Sequence, residues 1–358
     1  MPVRPSGTAL SQKSALDVHL RSLGSRRQAW RKTLTITSEL IQGFRAELAN
    51  ASSVLIGTHL NPDGDALGSA LAMSLYLDSR GISNEVVCHH LAPRNLQFLP
   101  GVKRIRTEPK EEKHDLAILL DLDSLERLGN TEPFFATCSS IIVIDHHLPH
   151  EAPGNLRIVD TAAAATAVIL TELLEALEAK ISADMATCLL TGIVTDTGSF
   201  RFRNTNPEAL AVASRLLEQG GNLTQVNEEI FQSKQLSAAR LLGQTLATMR
   251  LSCDGRLAWS SLSRKDFDMT QASDEDTEGF VNEMLFIDSV QIAAILREPK
   301  PGRIRCSLRS RADYDVAEVA REFGGGGHRN AAGCTLDMPL AEAETVLVER
   351  LKRCLASC

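Results

Sequence analysis

Short apolar runs alternate with amphipathic stretches along the first two thirds of the chain. The runs that predict buried strands are SSVLIG (52–57), NEVVCH (84–89), LAILLDLD (116–123) and SIIVIDHH (140–147). Stretches with helical spacing are residues 35–50, ALGSALAMSLYLDSRG (66–81), TAAAATAVILTELLEALEAK (161–180) and MATCLLTGIVTDTGSF (185–200). Strands that alternate with helices predict a mainly parallel sheet flanked by helices, and therefore an α/β fold.

Polar side chains follow these apolar runs directly. The residues concerned are His59, Asp63, Asp65, Asp121, Asp145, His146, His147 and Asp196. Because ligands bind beyond the carboxyl ends of parallel strands, we expect these side chains to meet at one edge of the sheet. A single aspartate after a strand is usually a helix cap or turn former, but five aspartates and three histidines in this pattern favour a shared site.

The residue types of this group favour divalent cations. Carboxylate oxygens with some imidazole suit Mn²⁺, and also Mg²⁺, Fe²⁺, Co²⁺ or Zn²⁺, and the absence of cysteine disfavours a structural zinc site. Two cations would also offset the repulsion between Asp63 and Asp65 in the loop THLNPDGDALGS. Paired divalent ions are a common arrangement for phosphoryl hydrolysis.

The last third of the chain has a different pattern. LAWSSLS, VQIAAILRE and RIRCSLRS predict strands, followed by FGGGGHRNAAG and a C-terminal helix, and AAG (331–333) is expected to begin a helix. We predict a basic extension at 1–34, a catalytic domain at 35–220, a helical linker at 221–245 and a smaller α/β substrate-binding domain at 246–358.

The glycine run is a candidate anion site. Backbone N–H groups of consecutive glycines can surround an anion, and arginine binds phosphate through two parallel hydrogen bonds. The run stands near SLRSR (307–311) in the predicted domain. Arg201 is a weaker candidate for substrate contact, and a surface ion pair explains it equally well.

Composition limits the class of partner. The net charge is −7 and only 4% of residues are aromatic, so the chain lacks both a global basic field and a long stacking platform for single strands. No apolar run is long enough for a membrane span. Eight cysteines without a CxxC pair are typical of reduced thiols, which predicts a cytoplasmic protein.

Residues 1–34 hold seven basic residues and one acidic residue. We interpret this segment as a helical extension, with organelle targeting and an RNA contact as open alternatives.

Five motifs resemble one family in order. HLNPDGDALGS, LLDLDSLERLG, VIDHH and TDTGSF are similar to the four motifs of the DHH phosphoesterase superfamily, and FGGGGHRNAAG resembles the signature of its C-terminal DHH-associated domain. The size of the chain most resembles the nanoRNase / pAp-phosphatase (NrnA-like) branch. The resemblance covers residue 35 to the C-terminus.

The resemblance implies roles for individual residues. His59 and Asp63 would bind one metal ion, Asp65, His146 and Asp196 would bind the other, and Asp121 would bridge both. His147 would face the substrate phosphate or the leaving oxygen, Asp145 would orient its neighbours, and Asp121, Asp145, His146 and His147 would form the catalytic set. The implied substrate contacts are Arg309, Ser310, Gly325, Gly326, Gly327 and His328.

The implied activity is a phosphodiesterase that uses two divalent ions, Mn²⁺ foremost, with Mg²⁺ or Co²⁺ as alternatives. It would degrade short RNA of about two to five nucleotides, and would also dephosphorylate pAp. Hydrolysis of a cyclic dinucleotide, or of linear pApA, is an alternative with the same centre. A non-catalytic nucleotide sensor or RNA-binding protein is an alternative of another class. A homodimer would fit the family.

Overall fold

The computed structural model of the chain describes residues 36–148, 153–311 and 313–356. The basic segment 1–34, with the expectations attached to it, lies outside the described residues. The chain divides into two compact units after Gln232. Among the described helices, none has the length and apolar character that a membrane span requires.

The first unit is a parallel sheet with helices packed on it. Its helices are α1 (Ser38–Asn50), α2 (Gly64–Ser79), α3 (Glu132–Phe135), α4 (Thr166–Ala176), α5 (Ala183–Asp196), α6 (Pro207–Glu218) and α7 (Leu223–Phe231). Its strands are β1 (Ser53–Gly57), β2 (Ser83–Val87), β3 (Ile105–Arg106), β4 (Leu116–Leu120), β5 (Ser140–Asp145) and β6 (Leu156–Val159). All pairings are parallel, in the order β3-β2-β1-β4-β5-β6.

Both faces of this sheet are buried, which explains why its strands are continuous apolar runs rather than alternating ones. Val54 and Ile56 of β1 point into the larger core, where α1, α2 and α4–α6 pack. Leu55 points to the opposite face, into a smaller cluster that includes Phe135 of α3. The order of the strands reverses between β1 and β4, and such a reversal leaves a crevice at the carboxyl ends of the two strands.

The second unit is a mixed sheet with helices on both faces. Its helices are α8 (Leu236–Ala247), α9 (Arg264–Thr270), α10 (Phe280–Leu285), α11 (Val316–Glu322) and α12 (Leu340–Ala356). Its strands are β7 (Arg250–Ser252), β8 (Leu257–Leu262), β9 (Ile292–Lys300), β10 (Arg303–Ser310), β11 (Gly326–His328) and β12 (Ala331–Leu336). Their order is β11-β12-β10-β9-β8-β7, and only β8 and β9 are parallel. The predicted α/β class is confirmed.

The predicted helix at AAG is wrong. Residues 331–333 begin β12, which pairs antiparallel with both β10 and β11. Ala332, Cys334 and Leu336 are buried along one face of this strand. The alternation of buried residues is the period of a strand, which the small side chains of the segment concealed.

The helix predicted from residue 161 begins only at Thr166. Carbonyl oxygens of the alanine run accept hydrogen bonds from side chains instead of from helical N–H groups: Asn206 Nδ2 donates to Ala162 at 3.1 Å and Asn204 Nδ2 donates to Ala164 at 3.1 Å. His146 Nδ1 binds the carbonyl of Ala163 at 3.3 Å. Tertiary contacts therefore override the high helix propensity of alanine.

Candidate metal centre

The predicted polar residues of the first unit meet at the point where the strand order reverses. His59 lies two residues beyond β1, and Asp121 follows β4 directly. Asp145 ends β5, and His146 and His147 come immediately after it. Asp196 differs from the others because it reaches the same place from the end of a helix, α5, rather than from a strand.

A first group consists of His59, Asp63 and Asp121. His59 Nε2 lies 3.4 Å from Asp121 Oδ2 and 3.9 Å from Asp63 Oδ1. Asp63 also caps α2, because its Oδ1 accepts the backbone N–H groups of Asp65 at 3.0 Å and Ala66 at 3.1 Å. The capping role and a role as a ligand are compatible, since a carboxylate oxygen has more than one acceptor site.

A second group consists of Asp65, His146 and Asp196. His146 Nε2 lies 3.2 Å from Asp196 Oδ2 and 4.0 Å from Asp65 Oδ2. The same nitrogen lies 3.5 Å from Asp121 Oδ1. Asp121 therefore turns one oxygen to each group, and the ligand atoms within each group are close enough to hold one metal ion.

The backbone of Asp121 is in the left-handed region, with φ of 59°. Aspartate tolerates this conformation better than most residues. Its N–H donates to the carbonyl of Ile144 in β5 at 3.1 Å, and the hydroxyl of Thr166 donates to its Oδ1 at 2.9 Å. These two hydrogen bonds fix the carboxylate between the two groups.

Asp65 is held by the start of α4. Its Oδ2 accepts the N–H of Thr166 at 2.6 Å and its Oδ1 accepts the N–H of Ala167 at 2.9 Å. The residue before the helix is Ala165, which provides no side-chain cap, so the carboxylate of Asp65 caps the N-terminus of α4 instead. Gly192 of α5 leaves the necessary room, because a Cβ there would lie 2.5 Å from Asp65 Oδ1.

Neighbouring acceptors determine the tautomers of two histidines. The carbonyl of Ala163 can only accept, so His146 carries its proton on Nδ1 and turns the lone pair of Nε2 toward the carboxylates. His147 Nδ1 lies 2.7 Å from Asp145 Oδ1, which is almost completely buried. Asp145 thereby orients His147.

The electrostatics of the centre favour bound cations. Burial, and then the charges of Asp121 and Asp63, raise the pKa of Asp65 well above its ordinary value. Burial and the neighbouring carboxylates likewise raise the pKa of Asp196. Burial also disfavours the charged form of Asp121, but its hydrogen bond to His59 and the nearby imidazoles outweigh this and lower the pKa.

The shifts of Asp65 and Asp196 describe carboxylates that repel one another without enough positive charge between them, whereas the surrounding imidazoles balance the charge of Asp121. His59 Nδ1 is also buried without a hydrogen-bond partner among the described residues. Four carboxylates with two imidazoles and no thiolate form a donor set for hard divalent ions. The residues present therefore fit metal ions.

Comparison with known proteins agrees with this site. A family model described as the DHH family, N-terminal domain, matches residues 53–193, and the DHHA1 domain model matches residues 265–357. A protein of Thermus thermophilus named bifunctional oligoribonuclease and PAP phosphatase NrnA is 36% identical over 286 residues, which cover 79% of this chain and 84% of that protein. The chain belongs to the DHH phosphoesterase family. The resemblance seen in the sequence is confirmed, and with it the class of hydrolase.

Two further relatives span most of both chains. A Streptococcus mutans protein named probable bifunctional oligoribonuclease and PAP phosphatase NrnA is 27% identical, over 85% of this chain and 96% of that one. The crystal structure of an exopolyphosphatase-related protein from Bacteroides fragilis has a TM-score of 0.84 at 29% identity, over 88% of this chain and 96% of that one. DHH phosphoesterases depend on metal ions, in agreement with the donor set described above.

The DHHA1 domain contains the predicted substrate residues other than Arg201. Arg309 is half-buried near the end of β10, and its Nη1 donates to the carbonyl of Leu308 at 3.0 Å. Burial lowers its pKa, and the carboxylate of Glu278 only partly opposes this. The hydroxyl of Ser310 is buried, donates to the carbonyl of Tyr314 at 2.7 Å and accepts from Asn330 Nδ2 at 2.8 Å. Ser310 therefore ties the end of β10 to the adjoining loops.

The glycines of the run differ in what they require. A Cβ at Gly325 would lie 2.1 Å from the carbonyl oxygen of Gly333, and one at Gly327, where φ is 135°, would lie 2.5 Å from that of Ala331. The close approach of β12 thus explains both. A Cβ at Gly326 would meet nothing within 4 Å, so its neighbours in the fold do not require glycine there. His328 ends β11.

Arg201 belongs to the first unit and follows the turn after α5. Its Nε donates to the carbonyl of Gly198 at 2.6 Å, and its guanidinium lies 5.5 Å from the centre of the Phe231 ring. The side chain is exposed, and it makes both of these contacts within the first unit.

Thr166 was missed by the sequence reasoning. Its hydroxyl contacts Asp121 and its N–H contacts Asp65, so one residue connects the two groups. Its position directly after the alanine run was the available signal. That signal could not reveal partners more than forty residues away in the sequence.

Proposed function

We propose that this chain is a phosphodiesterase that uses two divalent ions, Mn²⁺ in the first place, to degrade RNA of about two to five nucleotides to mononucleotides. It would also remove the 3′-phosphate of pAp and act in the cytoplasm. The observation that carries the proposal is the pair of ligand groups that share Asp121. The names of the Thermus and Streptococcus relatives support the choice of substrate.

One ion would be held by His59, Asp63 and Asp121, and the other by Asp65, Asp121, His146 and Asp196. Bound divalent ions supply Lewis acidity, which makes a water more acidic and offsets negative charge on the phosphoryl group. The protein's part is to fix the ligands: the N–H groups of Thr166 and Ala167 hold Asp65, and the carbonyl of Ala163 holds the tautomer of His146.

His147 is the group we assign to the leaving oxygen. Burial disfavours its charged form, but the hydrogen bond to Asp145 and the charge of Asp121 outweigh this and raise its pKa to about 9. An imidazolium held on Nδ1 by Asp145 can donate a proton from Nε2. The proton would pass from Nε2 to the oxygen that leaves phosphorus.

The DHHA1 domain would bind the substrate. A half-buried guanidinium whose pKa is lowered by burial gains from an anionic ligand, so Arg309 is the proposed phosphate contact. Gly326 has open space where a side chain would stand, which would let a ligand oxygen approach the backbone. We assign Ser310 to positioning rather than direct contact, Gly325 and Gly327 to the close approach of β12, and Arg201 to a lesser contact.

Turnover on a substrate panel tests the proposal. The panel contains a ladder of 5′-phosphorylated RNAs starting at the dinucleotide, together with pAp, pApA and cyclic di-AMP, each with Mn²⁺ and with EDTA. We expect Mn²⁺-dependent turnover that is fastest on the shortest RNAs. Faster turnover of cyclic di-AMP would instead support the cyclic dinucleotide alternative, and metal binding without turnover of any substrate would support a sensor.

Asp121→Ala tests the centre itself. Because Asp121 serves both groups, its loss should abolish turnover while the circular dichroism spectrum stays native. Asp123→Asn is the matched control, since Asp123 lies two residues away and pairs with Arg127 at 3.2 Å. Full turnover in a folded Asp121→Ala variant would refute the assignment. A homodimer, which would fit the family, is also part of the proposal, and light scattering of the same samples tests it.

A further inference from the structure

Two adjacent histidines lie one strand away from the metal centre. His89 and His90 follow β2, which is hydrogen-bonded to β1 with Val87 opposite Gly57. Because the two strands are parallel and end at the same level, the residues that follow them leave the sheet at the same edge. His89 and His90 therefore border the centre on the β2 side.

Each imidazole is anchored through Nδ1 to a loop that carries site residues. His89 Nδ1 accepts the N–H of Asn130, which follows β4, at 2.9 Å. His90 Nδ1 binds the carbonyl oxygen of Leu60, next to His59. Gly129, with φ of 59°, makes room for the first ring, because a Cβ there would lie 2.4 Å from His89 Nδ1.

The anchors give the two rings opposite hydrogen-bonding characters. An Nδ1 that accepts leaves the proton on Nε2, so His89 presents a donor. An Nδ1 that faces a carbonyl must carry the proton, so His90 presents an acceptor at Nε2. Every nucleobase displays a donor beside an acceptor on its Watson–Crick edge.

The surroundings suit a flat, partly apolar ligand. The two ring centroids are 4.3 Å apart with the planes inclined at 67°. His90 is exposed, and Leu91 beside it is 59% exposed. The imidazoles of the centre are already committed to the carboxylates, which leaves His89 and His90 as planar rings for a base at this edge.

We propose that His89, His90 and Leu91 form a binding site for one nucleobase of the substrate. The inference rests on the proposed function, because it assigns the base next to the phosphate that is cleaved. The ring of the base packs on the exposed imidazole of His90 and on Leu91, and its edge accepts a hydrogen bond from Nε2 of His89, whose ring is inclined at 67° to that of His90. Stacking of a base on a planar side chain is worth about a 5- to 150-fold change in affinity.

The test combines a protein change with a substrate change. Three proteins are compared: the wild type, the double variant His89→Ala/His90→Ala and the double variant His89→Phe/His90→Phe. Each is tested on a phosphorylated dinucleotide and on two abasic analogues of it. Each analogue replaces one base by hydrogen. With Mn²⁺ present, kcat and KM are measured for every pair, and Mn²⁺ binding is measured by calorimetry.

We expect the alanine variant to raise KM for the dinucleotide about tenfold or more, with little change in kcat and in Mn²⁺ affinity. It should not affect the analogue that lacks the bound base, and the phenylalanine variant should recover part of the loss. Equal losses on the dinucleotide and on both analogues, or weaker Mn²⁺ binding, would overturn the site and place the histidines in the metal centre. If the wild type hydrolyses no dinucleotide, the proposed function fails instead.

Discussion

Exchange of Thr166 for valine separates two hydrogen bonds that one residue makes to the centre. The backbone N–H bond to Asp65 remains, because valine has the same N–H group. The hydroxyl bond to Asp121 Oδ1, at 2.9 Å, is lost. Valine matches threonine in shape, so the change removes a donor at a fully buried position without opening a cavity.

The size of the effect follows from this single bond. A hydrogen bond to a charged group contributes about 1.5–3 kcal/mol, and about 1.4 kcal/mol corresponds to a tenfold change in rate. Asp121 keeps its imidazole neighbours, so the lower limit applies. We expect kcat/KM on a short RNA to fall about tenfold, and the affinity for Mn²⁺ to weaken.

The assay is steady-state turnover together with Mn²⁺ calorimetry on Thr166→Val, Thr166→Ser and Thr171→Val. Serine keeps the hydroxyl and should restore most of the activity. Thr171 lies on the same helix, is equally buried, and donates to the carbonyl of Ala167 at 2.7 Å. Its valine variant should lose stability but not activity. Wild-type turnover and Mn²⁺ affinity in folded Thr166→Val would refute a role for the hydroxyl.

Three further predictions concern stability and the glycine run. Gly325→Ala should lower the melting temperature, because its Cβ would meet the carbonyl of Gly333. Gly326→Ala should leave the melting temperature unchanged but raise KM for the RNA substrate. An unchanged KM would remove Gly326 from the substrate site. Burial, together with a hydrogen bond to Glu208 and repulsion from its charge, raises the pKa of Glu172 to about 8. The folded state therefore binds more protons than the unfolded state, and the free energy of unfolding falls as pH rises from about 4.5 to 8. Denaturant titrations should therefore show Glu172→Gln gaining stability over the wild type as pH rises through this range, and a constant difference would contradict the shift. Mn²⁺ at a hundredfold excess over Kd should raise the free energy of unfolding of the wild type by about 2.7 kcal/mol, because the ion relieves carboxylate repulsion. The melting temperature of the wild type should rise accordingly, and that of Asp121→Ala should respond far less.

The alternation of strands and helices in the first unit could be predicted from the sequence, because parallel strands that are buried on both faces appear as continuous apolar runs. His59, Asp121 and Asp145 follow three of those runs, and carboxyl ends of parallel strands share one edge. Their location at one edge of the sheet could therefore be predicted without knowing any distance. The motif resemblance added the roles, since the periodicity itself does not distinguish a ligand from a helix cap.

The errors arose where partners far apart in the sequence decide the local structure. The alanine run has the propensity of a helix, yet its carbonyls bind Asn204, Asn206 and His146, so the helix begins at Thr166. The segment AAG is a strand because it pairs with β10, and nothing within its three residues indicates that pairing.

Residue type and spacing alone thus determined the α/β class, the edge at which the carboxylates and imidazoles gather, and the glycine run as a feature of the second unit. Only the tertiary structure decided which atoms meet. It turned one oxygen of Asp121 to each group, gave Asp65 the N–H groups of α4, and separated Gly326 from the glycines that the close approach of β12 requires. The physical reason is that periodicity reports which side of an element is buried, whereas hydrogen-bond partners depend on elements brought together by the whole fold.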